Sequence, residues 1–145
     1  MVYRPQWFAL QELVCPHVFQ KFGDRAWLFL DEKAVITLDW IRRTLDKPIT
    51  VNDWAEGGEF SQRGLRCIQC SLVKEACNKG DVYLSAHILG RGFDFNVENM
   101  EADEVRIWLA LNKNKLPYNI RLESNVPWVH CDTYDNGNRL TLFNP

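Results

Sequence analysis

The chain has 145 residues, 46% of them hydrophobic, which suits one domain over residues 1–145 with a genuine core. Its formal charge is −2 and its sequence pI about 5.9, with no basic stripe, so nucleic acid is excluded as an expected partner. No apolar run is long enough for membrane insertion.

The N-terminus, Met1 to Phe8, carries no apolar core followed by a small-residue cleavage site, so synthesis in the cytoplasm without a signal peptide is expected. Phe8 to Phe22 has a helical stripe of Leu10, Leu13, Val14, Val18 and Phe22. Pro16 interrupts it, predicting a kink or two short helices, and Gly23 ends it. Asp31 to Leu45 is the clearest helix. Asp31 is its N-cap, and Ala34, Val35, Leu38, Ile41 and Leu45 form its buried face. Pro48 then opens a β-like run from Ile49 to Trp54. Ala55 to Gly80 reads as loop-rich, with one or two helical turns from Leu72 to Cys77. A loop-rich segment this long in a compact domain is usually functional or flexible.

Glu101 to Leu111 predicts a further helix, its acidic first turn suiting the positive end of the helix dipole. Val105, Trp108 and Leu109 form its inward face. Three β-like runs close the chain: Asn119 to Glu123, Trp128 to Tyr134 and Arg139 to Phe143. Asp135-Asn136-Gly137-Asn138 is a strong hairpin turn signal between the last two. Helices first and strands mostly later predict an α+β fold, an antiparallel sheet with helices packed on it. No motif sets an oligomeric state.

Chemistry concentrates in two stretches. Ser85 to Phe95 holds His87 and Asp94, and Gly90 and Gly92 bracket Arg91 so that the backbone can fold back and bring Asp94 near His87. Val126 to Asp132 holds His130, which on an alternating strand shares a face with Trp128 and Asp132 while Val129 and Cys131 point away. Two imidazoles and a carboxylate with an open fourth position are how a protein holds a catalytic zinc. Amide hydrolysis then needs a general base and a group for the oxyanion. Glu123, one short loop before the His130 strand, is the chosen base. Asp132 is its rival, as base or as a partner that fixes an imidazole. A solvated strand-end carboxylate is the plain alternative for Glu123.

The pattern Ser85-x-His87-x-x-Gly90-Arg91-Gly92-x-Asp94, followed by Trp128-Val129-His130-x-Asp132, resembles the zinc D-Ala-D-Ala metallopeptidases. That family includes D,D-dipeptidases, D,D-carboxypeptidases and phage endolysins, and hedgehog signalling domains share its fold. The resemblance implies a hedgehog/D,D-peptidase-like domain with one Zn2+ on His87, Asp94 and His130. It also implies a peptidoglycan stem peptide as substrate, cut at a terminal or internal bond involving a D-amino acid. The family places its catalytic acid a few residues before the last histidine. Several members have it three positions before, where this chain has Pro127; relatives with a longer gap end a strand in Glu-Ser, as Glu123-Ser124 does here. An arginine in a Gly-x-Arg context upstream stabilises the oxyanion in the family, and Gly64-Leu65-Arg66 matches it, with Arg63 and Arg91 as competitors. Ser85 and Trp128 are candidates for contacting substrate.

A wall-directed peptidase made without a signal peptide suits a phage or prophage lysin, which reaches the cell wall through a membrane hole. The rival is a non-catalytic zinc-containing module of the same fold that binds a wall peptide or a protein. Five cysteines, an odd number, do not form a secreted disulfide framework. Cys67-x-x-Cys70 with Cys77 raises a structural zinc, for which His17 or His87 would have to supply the fourth ligand; buried free thiols are the ordinary outcome.

Overall fold

The computed structural model describes residues 1–144. Pro16 splits the first apolar stripe into α1 (Leu10–Leu13) and α2 (Pro16–Phe22). A proline has no N–H for a helix interior, but at the first helical position that donor has no partner anyway, and α2 begins on it. The longest helix, α3 (Glu32–Leu45), starts where the Asp31 carboxylate accepts the Lys33 N–H at 2.8 Å. Ala34, Val35, Leu38 and Ile41 are buried on its inner face, and Leu45 is half-buried. Two shorter helices follow, α4 (Ser71–Asn78) and α5 (Ala102–Leu111). The Glu104 carboxylate at the start of α5 accepts the Glu101 N–H at 2.7 Å, closing a capping box. No helix of the described residues is long and apolar enough to cross a membrane.

The strands are β1 (Ile49–Thr50), β2 (Gly92–Val97), β3 (Ile120–Glu123), β4 (Val129–Asp132) and β5 (Leu140–Phe143). They form one five-stranded sheet in the order β1-β2-β4-β3-β5. The fold is therefore α+β as expected, but the sheet is mixed rather than antiparallel. β2 pairs antiparallel with β1 and β4, and β4 with β3, whereas β5 runs parallel to β3. The reason is occupancy. Both edges of β4 are already taken, by β2 and β3, so the last strand cannot return as a hairpin beside it. Asp135 to Asn138 does turn, with Gly137 at φ +87° and its N–H given to the Asp135 carboxylate at 2.8 Å. That turn sends the chain past β3 to its free edge.

The run from Ile49 to Trp54 is also shorter as a strand than expected. After Thr50 the backbone turns inward: the Asn52 N–H donates to the Glu12 carbonyl at 3.1 Å, and the Asn52 side chain bonds the Val14 carbonyl and the Arg63 N–H. Residues Trp54–Glu56 then form a helical turn.

The core lies between the helices and one face of the sheet. Phe93 and Phe95 of β2, Ile120 and Leu122 of β3 and Val129 and Cys131 of β4 meet Leu13, Val35, Leu38, Ile41, Val105 and Leu109. Alternation along a strand commits the intervening residues to the other face. Register then aligns them: Asp94 stands opposite His130, Gly92 opposite Asp132, and Arg121 opposite Asp132. Gly90 enters this sheet at φ +67°, and a Cβ there would collide with the Phe29 carbonyl oxygen.

Gly90→Ala combines a left-handed backbone with a clash against fixed backbone and should cost about 3 kcal/mol or more. Gly137→Ala has a similar φ but open space around it and should cost only about 1 kcal/mol. Urea unfolding of the two variants checks this; equal losses would show that the Phe29 contact is not a constraint.

Candidate metal centre

His87 lies in a turn before β2, Asp94 in β2 and His130 in β4, and their donor atoms all fall within 4.8 Å of one another. Each is at least nine-tenths buried. His87 Nε2 is 3.2 Å from Asp94 Oδ2, and His130 Nδ1 is 2.8 Å from Asp94 Oδ1. Nitrogen and oxygen donors about 2.0–2.1 Å from a tetrahedral ion stand roughly 3.3 Å apart, so the spacing suits one small divalent ion.

The outer nitrogens set the tautomers. His87 Nδ1 donates to the Gly64 carbonyl at 2.9 Å, since a carbonyl can only accept, and Nε2 is the nitrogen that faces Asp94. His130 Nε2 faces Asp132 Oδ2 at 3.0 Å, which leaves Nδ1 for the centre. Asp132 is in turn held by Arg121, whose Nε and Nη2 donate to its two oxygens at 2.9 Å each. The Tyr134 N–H adds a third bond to Oδ1. With its side chain fully buried and both oxygens engaged, Asp132 orients His130 and is poorly placed to take a proton from water.

Arg66 flanks the centre. Its Nη2 donates to Asp94 Oδ2 at 3.2 Å, its Nη1 to the Tyr83 hydroxyl at 2.6 Å and its Nε to the Gln62 carbonyl at 2.5 Å. The competitors are engaged elsewhere: Arg63 bonds Asn96 and covers the Phe60 ring, and Arg91 pairs with Asp31. A cleft of about 410 Å3 opens over the three donors and is also lined by Arg66, Ser85, Glu123, Trp128 and Asp132. A neighbouring groove of about 450 Å3 shares Arg66, Asp94 and Trp128 with it and extends along Phe60 and Arg63. Ser85 precedes the His87 turn and is not on a strand. Its buried hydroxyl has no hydrogen-bond partner within the protein, and neither has the Trp128 indole N–H.

Several partners here were not anticipated from sequence. Arg121 and Tyr83 are ordinary strand and loop residues until the pairing of β3 with β4 and the fold of the loop after Gly80 are known. Arg106 is likewise hidden. It lies buried on α5 and donates to the carbonyls of Glu123, Val126 and Trp128 at 2.9–3.2 Å, pinning the end of β3 and the loop after it beside the cleft.

No family model matches the chain, and no curated protein or solved structure gives a significant match.

The electrostatics follow from burial and pairing. Burial alone would lower the pKa of His130, but hydrogen bonds and charge from Asp132 and Asp94 outweigh it and raise the pKa to about 9. Burial works against ionisation of Asp94, and hydrogen bonds from His130 and His87 overcome it, holding the carboxyl well below the usual range. In metal-free protein, the contribution of His130 to stability is therefore full below its unfolded pKa of about 6.5 and is lost as pH rises through about 9. The contribution of Asp94 is full above about pH 4 and lost on acidification below that. Chelator-treated protein should show a urea midpoint that falls between about pH 6.5 and 9. His130→Gln should flatten that slope; an unchanged slope in the variant would remove His130 as its source.

Proposed function

We propose that the chain is a zinc metallopeptidase of the hedgehog/D,D-peptidase-like fold that hydrolyses a peptide bond in the peptidoglycan stem peptide, as a D,D-carboxypeptidase or endopeptidase. The observation that carries this reading is the buried His87–Asp94–His130 set at the floor of an open cleft, with Arg66 against it and Glu123 on its wall. The motifs resembling the zinc D-Ala-D-Ala metallopeptidases supply the substrate class.

The donor set fits zinc, with imidazole and carboxylate ligands whose outer atoms are fixed by Gly64 and Asp132. A zinc held by His87, Asp94 and His130 would supply an acidified water, with a pKa of about 7 in known catalytic sites, and a Lewis acid for the scissile carbonyl. Glu123 then takes the proton from the attacking water and returns it to the leaving amine. Arg66 is pre-oriented by Tyr83, Gln62 and Asp94, and its remaining N–H groups stabilise the oxyanion. Ser85 and Trp128 line the cleft and are the candidates for contacting a bound peptide. The groove running past Arg66 and Trp128 leaves room for chain on both sides of the scissile bond, which favours the endopeptidase form. A lysin acting at the wall from inside the host is the setting that suits such an activity.

Metal analysis together with mass spectrometry of digested peptidoglycan fragments tests this reading. Cleavage should vanish with chelator and return with zinc. Glu123→Gln should keep the metal in the cleft and lose about 10²–10⁴-fold in kcat. Unchanged hydrolysis removes Glu123 as the base, and metal binding without cleavage of any fragment leaves the non-catalytic module. Asp132→Asn should weaken metal binding by the centre about 10–100-fold, read by competition with a chelating dye.

A further inference from the structure

Away from the cleft, Cys15, His17, Cys67 and Cys70 bring three sulfurs and one ring nitrogen within 4.8 Å of one another. Cys15 Sγ is 3.7 Å from Cys67 Sγ, and His17 Nδ1 is 3.7 Å from Cys67 Sγ and 3.9 Å from Cys70 Sγ. Zinc bonds of about 2.3 Å to sulfur and 2.0–2.1 Å to nitrogen, arranged tetrahedrally, put donors roughly 3.6–3.8 Å apart. The observed separations match that spacing, and 3.7 Å is far beyond a disulfide bond of about 2.05 Å. The geometry points to a second metal site, a closed structural zinc held by Cys15, His17, Cys67 and Cys70.

Backbone N–H groups are directed at two of the sulfurs. The Cys67 N–H points to Cys70 Sγ, and the Gln69 N–H to Cys67 Sγ, each at 3.4 Å. Cys70 caps the N-terminus of α4, where the helix dipole favours negative charge. Three soft sulfurs and an imidazole select zinc over hard cations such as magnesium or calcium. The set leaves no vacant position, which separates it from the open centre in the cleft. Cys77 is not part of it: α4 carries that residue to an exposed position, and Cys15 from the α1–α2 junction takes its place. His17 supplies the fourth ligand, and His87 stays with the cleft.

The site ties two segments that already lie together. The Cys15 N–H donates to the Leu65 carbonyl at 3.0 Å, and the Leu65 N–H to the Leu13 carbonyl at 2.8 Å. Between Leu65 and Cys67 stands Arg66, and Gly64 gives its carbonyl to His87. A zinc here fixes the loop that forms one wall of the cleft. It does so whether or not the cleft cleaves peptides.

Zinc content of protein purified under reducing conditions tests the site. The unaltered chain should hold two zinc ions, the His87→Ala/His130→Ala variant one, and the Cys67→Ser/Cys70→Ser variant one fewer than the unaltered chain. Two measurements on the unaltered chain guard against a misfolded variant. Cobalt-loaded protein should show thiolate-to-metal charge-transfer absorption, which the sulfur-free cleft centre cannot give. Alkylation should label Cys77 readily, and Cys67, which the fold leaves partly exposed, only after chelation. Absence of the charge-transfer band, labelling of Cys67 unaffected by chelator, or a Cys15–Cys67 disulfide in the reduced preparation would overturn the proposal.

Discussion

The carboxylate of Asp94 is the group on which the site depends. It is buried, and an ionised carboxylate away from water is tolerated only when paired and hydrogen-bonded. Here Oδ1 faces His130 while Oδ2 faces both His87 and Arg66. Removing one partner of such a buried set typically costs about 3–5 kcal/mol, because the remaining charges are stranded. That penalty also fixes topology. A one-residue slip of β2 against β4 would turn Asp94 into the Phe93–Phe95 core and bring a phenylalanine opposite His130. The apolar face and the charged face thus enforce the same register.

Around that carboxylate, cations do most of the positioning. Arg121 holds Asp132, which holds His130. Arg106 gathers the carbonyl of Glu123 at the end of β3 and those of Val126 and Trp128 in the loop that follows. A guanidinium suits both tasks, since its planar fork can meet two acceptors at once without losing its charge on burial. The loop between β3 and β4 carries Pro127, which has no N–H to donate, and its carbonyls point inward, so a buried donor from α5 supplies what sheet pairing cannot. The position of Glu123 in the cleft wall therefore depends on a helix residue seventeen positions upstream in sequence.

Much of the helical layer was legible in the sequence. Asp31 before an apolar stripe, Pro16 inside one and the acidic start of α5 are local signals, and local hydrogen bonding decides helix ends. The shared face of His130 and Asp132 also followed from alternation alone. What remained hidden was set by long-range pairing. The parallel placement of β5 depends on which edges of β4 are occupied, and no turn sequence reports that; Asp135 to Asn138 has the composition of a hairpin and turns without forming one. The β run after Ile49 ended early because Asn52 found partners in Glu12, Val14 and Arg63, far away in the chain. The cysteines show the same limit. Cys67 and Cys70 are neighbours by spacing, but Cys15 joins them only because Leu65 bridges to Leu13 and brings the α1–α2 junction alongside.

The short segment from Gly64 to Cys67 concentrates these constraints. Within four residues it offers a carbonyl to His87, a buried bridge to Leu13, a guanidinium to Asp94 and a thiol to the sulfur cluster. Gly64 can serve only because it lacks a side chain: a Cβ would run into the Leu13 carbonyl. A loop with so many separate anchors loses little further entropy when something docks against Arg66, since its conformation is already determined. The two donor sets it touches differ in kind, one of imidazole and carboxylate at the floor of an open cleft, the other rich in sulfur and closed. That division lets one loop be rigid on its inner side and chemically available on its outer side, and an open cleft wall needs both.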